Sequence, residues 1–238
     1  MHGADADIAR PSARTIYGEA AALMRTHAAE VIGIAAAVLV PFALIEALGL
    51  LHVEVEGDAL FVDLVVVVLT LVASGLSGLA AIFYAGILDH ASAAWHRGED
   101  APAPRAVARR LPWGQLVLAS VLWFFAVVGG LLLAVVPGLV ALTLFSLTGP
   151  VLVREELTAV QAMRRSAQLV WRRPVLVMLT AVLPFVAEIS LSDVAAEVFG
   201  HNLALELVVE VLAALFLASS VGVLEVVTTH QLVAAERG

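Results

Sequence analysis

The stretch from 134 to 173, AVVPGLVALTLFSLTGPVLVREELTAVQAMRRSAQLVWRR, limits the choice of fold more than any other part of the chain. It joins a Pro-Gly break, a short apolar span and an arginine-bearing amphipathic segment, the order expected of a chain that crosses a bilayer and surfaces onto a lipid face. Composition agrees: 61% of the 238 residues are hydrophobic and 14% charged, against roughly 45–50% and about 25% in a soluble domain. The apolar residues come in runs near the ~20 residues that cover a ~30 Å hydrocarbon core. They do not alternate with period two, so helices and not a barrel are implied.

Read in order, the chain divides into a polar start and an interfacial helix over 1–30, a six-helix transmembrane domain over 31–229, and a tail over 230–238. The crossings fall at 31–51, 62–88, 113–136, 138–153, 174–191 and 203–229, with cytoplasmic connectors at 89–112 and 154–173. In the first segment Ile16, Tyr17, Ala20, Leu23 and Met24 share one helical arc with Glu19 and Arg25 off it, the pattern of a helix lying in the interface. A plain extension of the first crossing fits the same residues. The second apolar run, from Ala59 to Leu88, exceeds one crossing, so it is either tilted or continues past the membrane near Asp89; whether it is one helix or two stays open. Ser74-Gly75 and Ser77-Gly78 on it suggest a face for close helix packing. Trp113 opens the third crossing at an interfacial position, and that crossing is expected to turn at Pro137-Gly138. The return leg is then only about 24 Å long at ~1.5 Å per residue, so its outer turn is expected to sink below the lipid surface, shielded by protein. Gly149-Pro150 is expected to break the helix before the basic segment. There Val160, Met163, Ala167, Val170 and Trp171 share one arc, and Gln161, Arg165, Gln168 and Arg172 the other.

Charge sets the orientation. All thirteen cations are arginine, three before the first crossing, four between the second and third, five between the fourth and fifth, and one in the tail. The three opposite loops hold none. Under the positive-inside rule both termini are cytoplasmic and the number of crossings is even. The expected surroundings are a bacterial plasma (inner) membrane, crossed several times. The arginines at the inner face, Arg109, Arg110, Arg164, Arg165, Arg172 and Arg173, are the candidate contacts for lipid head groups, because anionic leaflets attract basic interfacial segments. The expected partners are therefore membrane lipids, anionic inner-leaflet lipids above all, with room for a membrane or soluble protein. A Lys-free, Ala- and Val-rich composition also follows from a GC-rich genome alone.

The outer half is acidic. Glu188, Glu206 and Glu210, with His201 nearby, form a candidate cation or proton site; solvated acids on a non-cytoplasmic rim account for the same residues. Glu206 and Glu210 share a helix face. Glu225, near the inner end of the last crossing, is a candidate partner for Arg165 or Arg172, or simply faces water. Crossings one and five share wording, Pro41-Phe42 then Glu46 against Pro184-Phe185 then Glu188, which suggests a parallel repeat; common composition suggests it equally.

Nothing in the chain points to an enzyme. With no cysteine there is no thiolate nucleophile and no cysteine metal site. His96-Arg97-Gly98-Glu99 lacks the Pro-Glu-Asn continuation of glycerophosphodiester phosphodiesterases, and Glu155-Glu156 lacks the later histidine pair of intramembrane CAAX-type proteases. No HExxH, GxSxG or phosphate-binding glycine loop occurs. No cofactor is expected, and no basic exposed domain suits nucleic acid.

The set Pro137-Gly138, Phe145, Pro150, Glu156, Ala162, Arg165-Ser166 and Leu169 resembles the signature of a bacterial membrane-domain family. That domain precedes the catalytic barrel of some glycerophosphoryl diester phosphodiesterases and stands alone in YciC-like proteins. The resemblance covers most of the chain and implies a free-standing multi-span membrane module without the barrel and its activity. The function expected is membrane-organising or accessory, docking lipid or a partner protein. The alternative is a transporter or channel for a small cation or amphiphile that uses the acidic outer vestibule.

Overall fold

The structure is a computed structural model that describes residues 11–51, 59–98, 104–187 and 214–237, with isolated positions between 190 and 212. All regular structure among the described residues is helical. In chain order the helices are α1 (Ala13–Thr26), α2 (Ala28–Leu51), α3 (Ala59–His96), α4 (Pro104–Arg110), α5 (Trp113–Leu133), α6 (Val135–Phe145), α7 (Thr148–Arg154), α8 (Ala159–Arg172), α9 (Pro174–Val177) and α10 (Ser219–Arg237). A π-helical turn, Met178–Val182, extends α9, and another, Ala214–Ala218, leads into α10.

Among the described residues three helical stretches are long and apolar enough to cross a membrane: Trp113–Leu133, Val135–Arg154 and Leu215–Arg237. Two bent pairs raise the number to five if each is one span. Ala13–Thr26 meets Ala28–Leu44 at 89°, and Ala159–Arg172 meets Pro174–Ala187 at 106°.

Local chemistry sets both bends. Ser12 caps α1, its hydroxyl accepting the Thr15 N–H at 3.2 Å. At the far end the His27 N–H closes on the Leu23 carbonyl at 2.9 Å, the ring stacks on Trp95 with centroids 4.3 Å apart, and Nδ1 lies 2.6 Å from Glu30 Oε2. The second bend falls at Arg173, because a residue before proline is driven out of the α region and Pro174 suits the first position of a new helix.

The second apolar run is one continuous helix, α3, and it continues beyond Leu88 to His96. The expected connector at 89–112 is thus helical in its first third, since Leu88, Ala91 and Ala94 stay in the core. The small residues on α3 allow close packing as expected: a Cβ on Gly78 would stand 2.7 Å from the Trp123 ring of α5.

Three expected boundaries are corrected. The α5–α6 turn is at Ala134, which alone is extended (φ −175°, ψ 164°), and not at Pro137-Gly138. Pro137 occupies the third position of α6, and Pro150 the third of α7, where a helix has no use for the missing N–H. The break expected at Gly149-Pro150 before the basic segment lies instead at Glu155–Thr158, between α7 and α8, and a further turn at Ser146–Leu147 separates α6 from α7. The return leg therefore spans the 20 residues Val135–Arg154 and is no shorter than a crossing. Its turn is not shielded by protein either: Leu132 is 82% and Leu133 83% exposed. Gly138 sits so close to Gly130 and Leu131 that no other side chain fits there without displacement.

The expected C-terminal tail is also corrected, because α10 runs unbroken to Arg237. Leu232 and Val233 join a core of Leu147, Val151, Leu169, Val170 and Val177, which holds the last turns against α7, α8 and α9. A larger core gathers α1, α2, α3, α5 and α10 around Ile16, Val31, Phe83, Leu88, Leu116 and Val223.

Candidate functional site

The basic segment is α8. Its start is fastened by the Thr158 N–H donating to Gln161 Oε1 at 3.1 Å and by the Ala159 N–H donating to Gln115 Oε1 of α5 at 2.8 Å. Its inner face is Ala159, Ala162, Ser166, Leu169 and Val170, with the Ser166 hydroxyl donating to the Leu144 carbonyl at 2.7 Å. Of the expected apolar arc, only Val170 lies on this face. Val160 and Trp171 point outward, Trp171 being 75% exposed, because alanine and serine let α8 approach its neighbours more closely than bulkier side chains would.

The outward surface therefore mixes Val160, Arg164, Gln168, Trp171 and Arg172. Arg164, Gln168, Trp171 and Arg172 border an open groove with Leu144, Arg165 and Glu236. The six expected arginines divide into classes here. Arg109, Arg110, Arg164 and Arg172 are exposed. Arg165 is held between two acids, 3.1 Å from Glu155 Oε2 and 2.7 Å from Glu236 Oε2. Partial burial works against the Arg165 charge, but the hydrogen bonds and charges of Glu155 and Glu236 outweigh it and hold the guanidinium above its ordinary pKa. Arg172 shares Glu236 at 3.3 Å. Arg173 donates to the Pro11 carbonyl at 3.1 Å. Of the two sequence readings of Glu225, a partner for Arg165 or Arg172 or a residue facing water, the structure gives the arginine-pairing role to Glu236, which the continuation of α10 carries to α8. Glu225 lies farther along α10, beside a small cavity lined also by Trp123, Phe145 and Phe185.

A second polar cluster joins α1, α3, α7 and α10. Asp89, 3% exposed, lies 2.8 Å from His230 Nε2 and 3.8 Å from Arg154 Nε. Around it, Ser92 Oγ approaches His230 Nε2 at 3.4 Å, His96 Nδ1 bonds the Ser92 carbonyl at 2.7 Å, and Gln231 Nε2 donates to Glu19 Oε2 at 2.6 Å. A serine, a histidine and an aspartate in contact invite comparison with a hydrolytic triad, whose base uses one ring nitrogen for the serine and the other for the acid. Here Ser92 and Asp89 both meet Nε2, and Ser92 Oγ donates to the Asp89 carbonyl at 2.9 Å. The arrangement stitches helices together and does not relay a proton from the serine. The sequence reading missed it, although an acid closing a long apolar run is a signal that a partner is needed.

Among the described residues no group of three or more His, Cys, Asp or Glu is placed to hold a metal ion. Glu188, His201, Glu206 and Glu210 lie outside the described residues, as do the side chains of the other outer acids.

Comparison with family models, with curated proteins and with solved structures finds no match for this chain.

Proposed function

We propose that this chain is a non-catalytic, membrane-organising module of the bacterial inner membrane, crossing it six times with both termini inside, and that α8 grips anionic lipid. The observation that carries the reading is the right-angled junction at Arg173. An amphipathic helix meets an apolar one at 106°, so if α9 and its continuation enter the bilayer, α8 lies along its surface. Arg164, Trp171 and Arg172 then face the head groups, with tryptophan at the depth it favours and each cation contributing up to about 1 kcal/mol near an anionic surface, less for Arg172, whose charge Glu236 partly offsets at 3.3 Å. The α1–α2 junction repeats the geometry at 89°. The resemblance to the membrane domain of glycerophosphoryl diester phosphodiesterases and to YciC-like proteins supports a free-standing module of this kind.

Lipids retained by the detergent-solubilised protein, measured by native mass spectrometry, test the lipid part. Phosphatidylglycerol is expected to be kept in preference to phosphatidylcholine, and equal retention defeats the reading. The topology has its own test. Because the chain has no cysteine, single cysteines can be placed without background at Asp58, Gly98 and Asn202. Gly98 is expected to label from inside and the other two from outside; labelling of all three from one side removes the six-span arrangement.

A further inference from the structure

The open groove along α8 encloses about 630 Å³ and is charged at its two ends and neutral between them. Arg164 and Arg172 line it eight residues apart on one helix face, a separation of about 12 Å at ~1.5 Å per residue. Between them Gln168 and Trp171 offer uncharged N–H donors, and Ala167 with Leu144 of α6 gives an apolar floor. Arg165 adds little free charge, because Glu155 and Glu236 clamp it at 3.1 Å and 2.7 Å. The two charged ends are prepared differently. Among the described residues Arg164 has no hydrogen-bond or ion-pair partner, and neither has Gln168. Arg172 is steadied by Glu236, which holds Nη1 of its guanidinium at 3.3 Å. The Arg172 side chain is still 71% exposed, so the other donors of its five-donor fork remain open to a ligand.

We propose that this groove seats a lipid of the cardiolipin class, two phosphodiesters joined by a glycerol bridge, with one phosphate at Arg164, the other at Arg172 and the bridge hydroxyl at Gln168. The proposal rests on the reading of α8 as a lipid-binding surface and adds which head that surface selects. A head with one phosphate occupies one end of the groove and feels the other cation only through space. A head with two occupies both, and because the second contact is then made within one molecule, the pair binds far more tightly than either phosphate alone. Arginine's planar fork suits phosphate oxygens, and basic pockets on the cytoplasmic side of membrane helices suit such heads. The neutral middle of the groove matches the uncharged bridge, which a continuous run of cations would not.

The test is native mass spectrometry of the full-length protein in a neutral maltoside detergent, titrated separately with cardiolipin, phosphatidylglycerol and phosphatidylcholine. One cardiolipin per chain is expected, bound at least tenfold more tightly than phosphatidylglycerol, well beyond the twofold that a doubled phosphate count alone would give. Arg164→Gln alone, or Arg172→Gln alone, is expected to abolish that margin while phosphatidylglycerol still binds above phosphatidylcholine. A margin below tenfold in the unchanged protein overturns the proposal and leaves the lipid reading of α8 standing. No preference for either anionic lipid over phosphatidylcholine overturns both. Arg164 has no protein partner to lose among the described residues, so its variant is the decisive one: a tenfold margin that survives Arg164→Gln overturns the two-ended seat, whether or not the Arg172 variant folds.

Discussion

The two bent pairs, α1–α2 and α8–α9, share a geometry and differ in how they use charge. On α1 the residue turned inward is an acid, Glu19, which meets Gln231 of α10 at 2.6 Å and lies 3.8 Å from His96 of α3, while Arg14 and Arg25 stay exposed. On α8 one arginine, Arg165, is turned inward and clamped by Glu155 and Glu236, while Arg164 and Arg172 stay on the outside. An amphipathic helix at a right-angled junction can thus serve as a brace or as a surface, according to where its partners' acids lie. In this chain α10 supplies the inward partner to both.

The largest effect is expected where the brace is buried. Asp89→Ala leaves Arg154 and His230 without their shared acid in a site only 3% exposed, and breaking a buried pair this way costs about 3–5 kcal/mol. The check is thermal unfolding of the detergent-solubilised protein; a loss below about 1 kcal/mol shows that this cluster does not brace α3 against α7 and α10. Next comes Glu236→Gln, which releases Arg165 and Arg172 together. Charged hydrogen bonds of this kind contribute about 1.5–3 kcal/mol, and proteolysis after α10 is expected to quicken if the C-terminal turns lift away.

The double change Arg164→Gln with Arg172→Gln is expected to leave unfolding almost unchanged and to weaken binding to soluble short-chain phosphatidylglycerol by about 2 kcal/mol, roughly thirtyfold, at about 1 kcal/mol per cation. The matched change on α1, Arg14→Gln with Arg25→Gln, is expected to weaken it clearly less. Equal losses from the two pairs would erase the contrast between surface and brace. The smallest effect is that of Tyr17→Phe. It removes the bond to the Leu179 carbonyl that ties the first bent pair to the second, for about 1 kcal/mol in the same unfolding measurement.

Local signals were readable in the sequence and distant pairings were not. Of the expected α1 arc, Ile16 and Ala20 are buried and Leu23 and Met24 partly so, whereas Tyr17 is exposed; the close packing expected of the small residues on α3 is seen at Gly78 against α5. The misread breaks share one cause. Read locally, Pro137 and Pro150 are interruptions, yet a proline in the first turn of a helix marks where the helix has begun. The buried face of α8 is not its most apolar one for a different reason: hydropathy ranks tryptophan above alanine, whereas that face is chosen by how closely a small side chain lets backbones approach. Asp89 with His230, and Arg165 with Glu236, are joined only by the tertiary fold, and nothing in the local pattern of either residue names the other.

The one-residue link at Ala134 also bears on how the protein enters its membrane. From Trp113 to Val153 the chain carries no charged side chain and no histidine, and the tip that joins α5 to the return leg presents leucine and valine to its surroundings. An insertion machine that admits α5 and α6 side by side has no polar loop to drag across the hydrocarbon, which is the step that ordinarily makes reaching the far side expensive. Such a hairpin can partition into lipid as a single greasy unit during synthesis, since Arg154 is the first charged residue the chain meets after it.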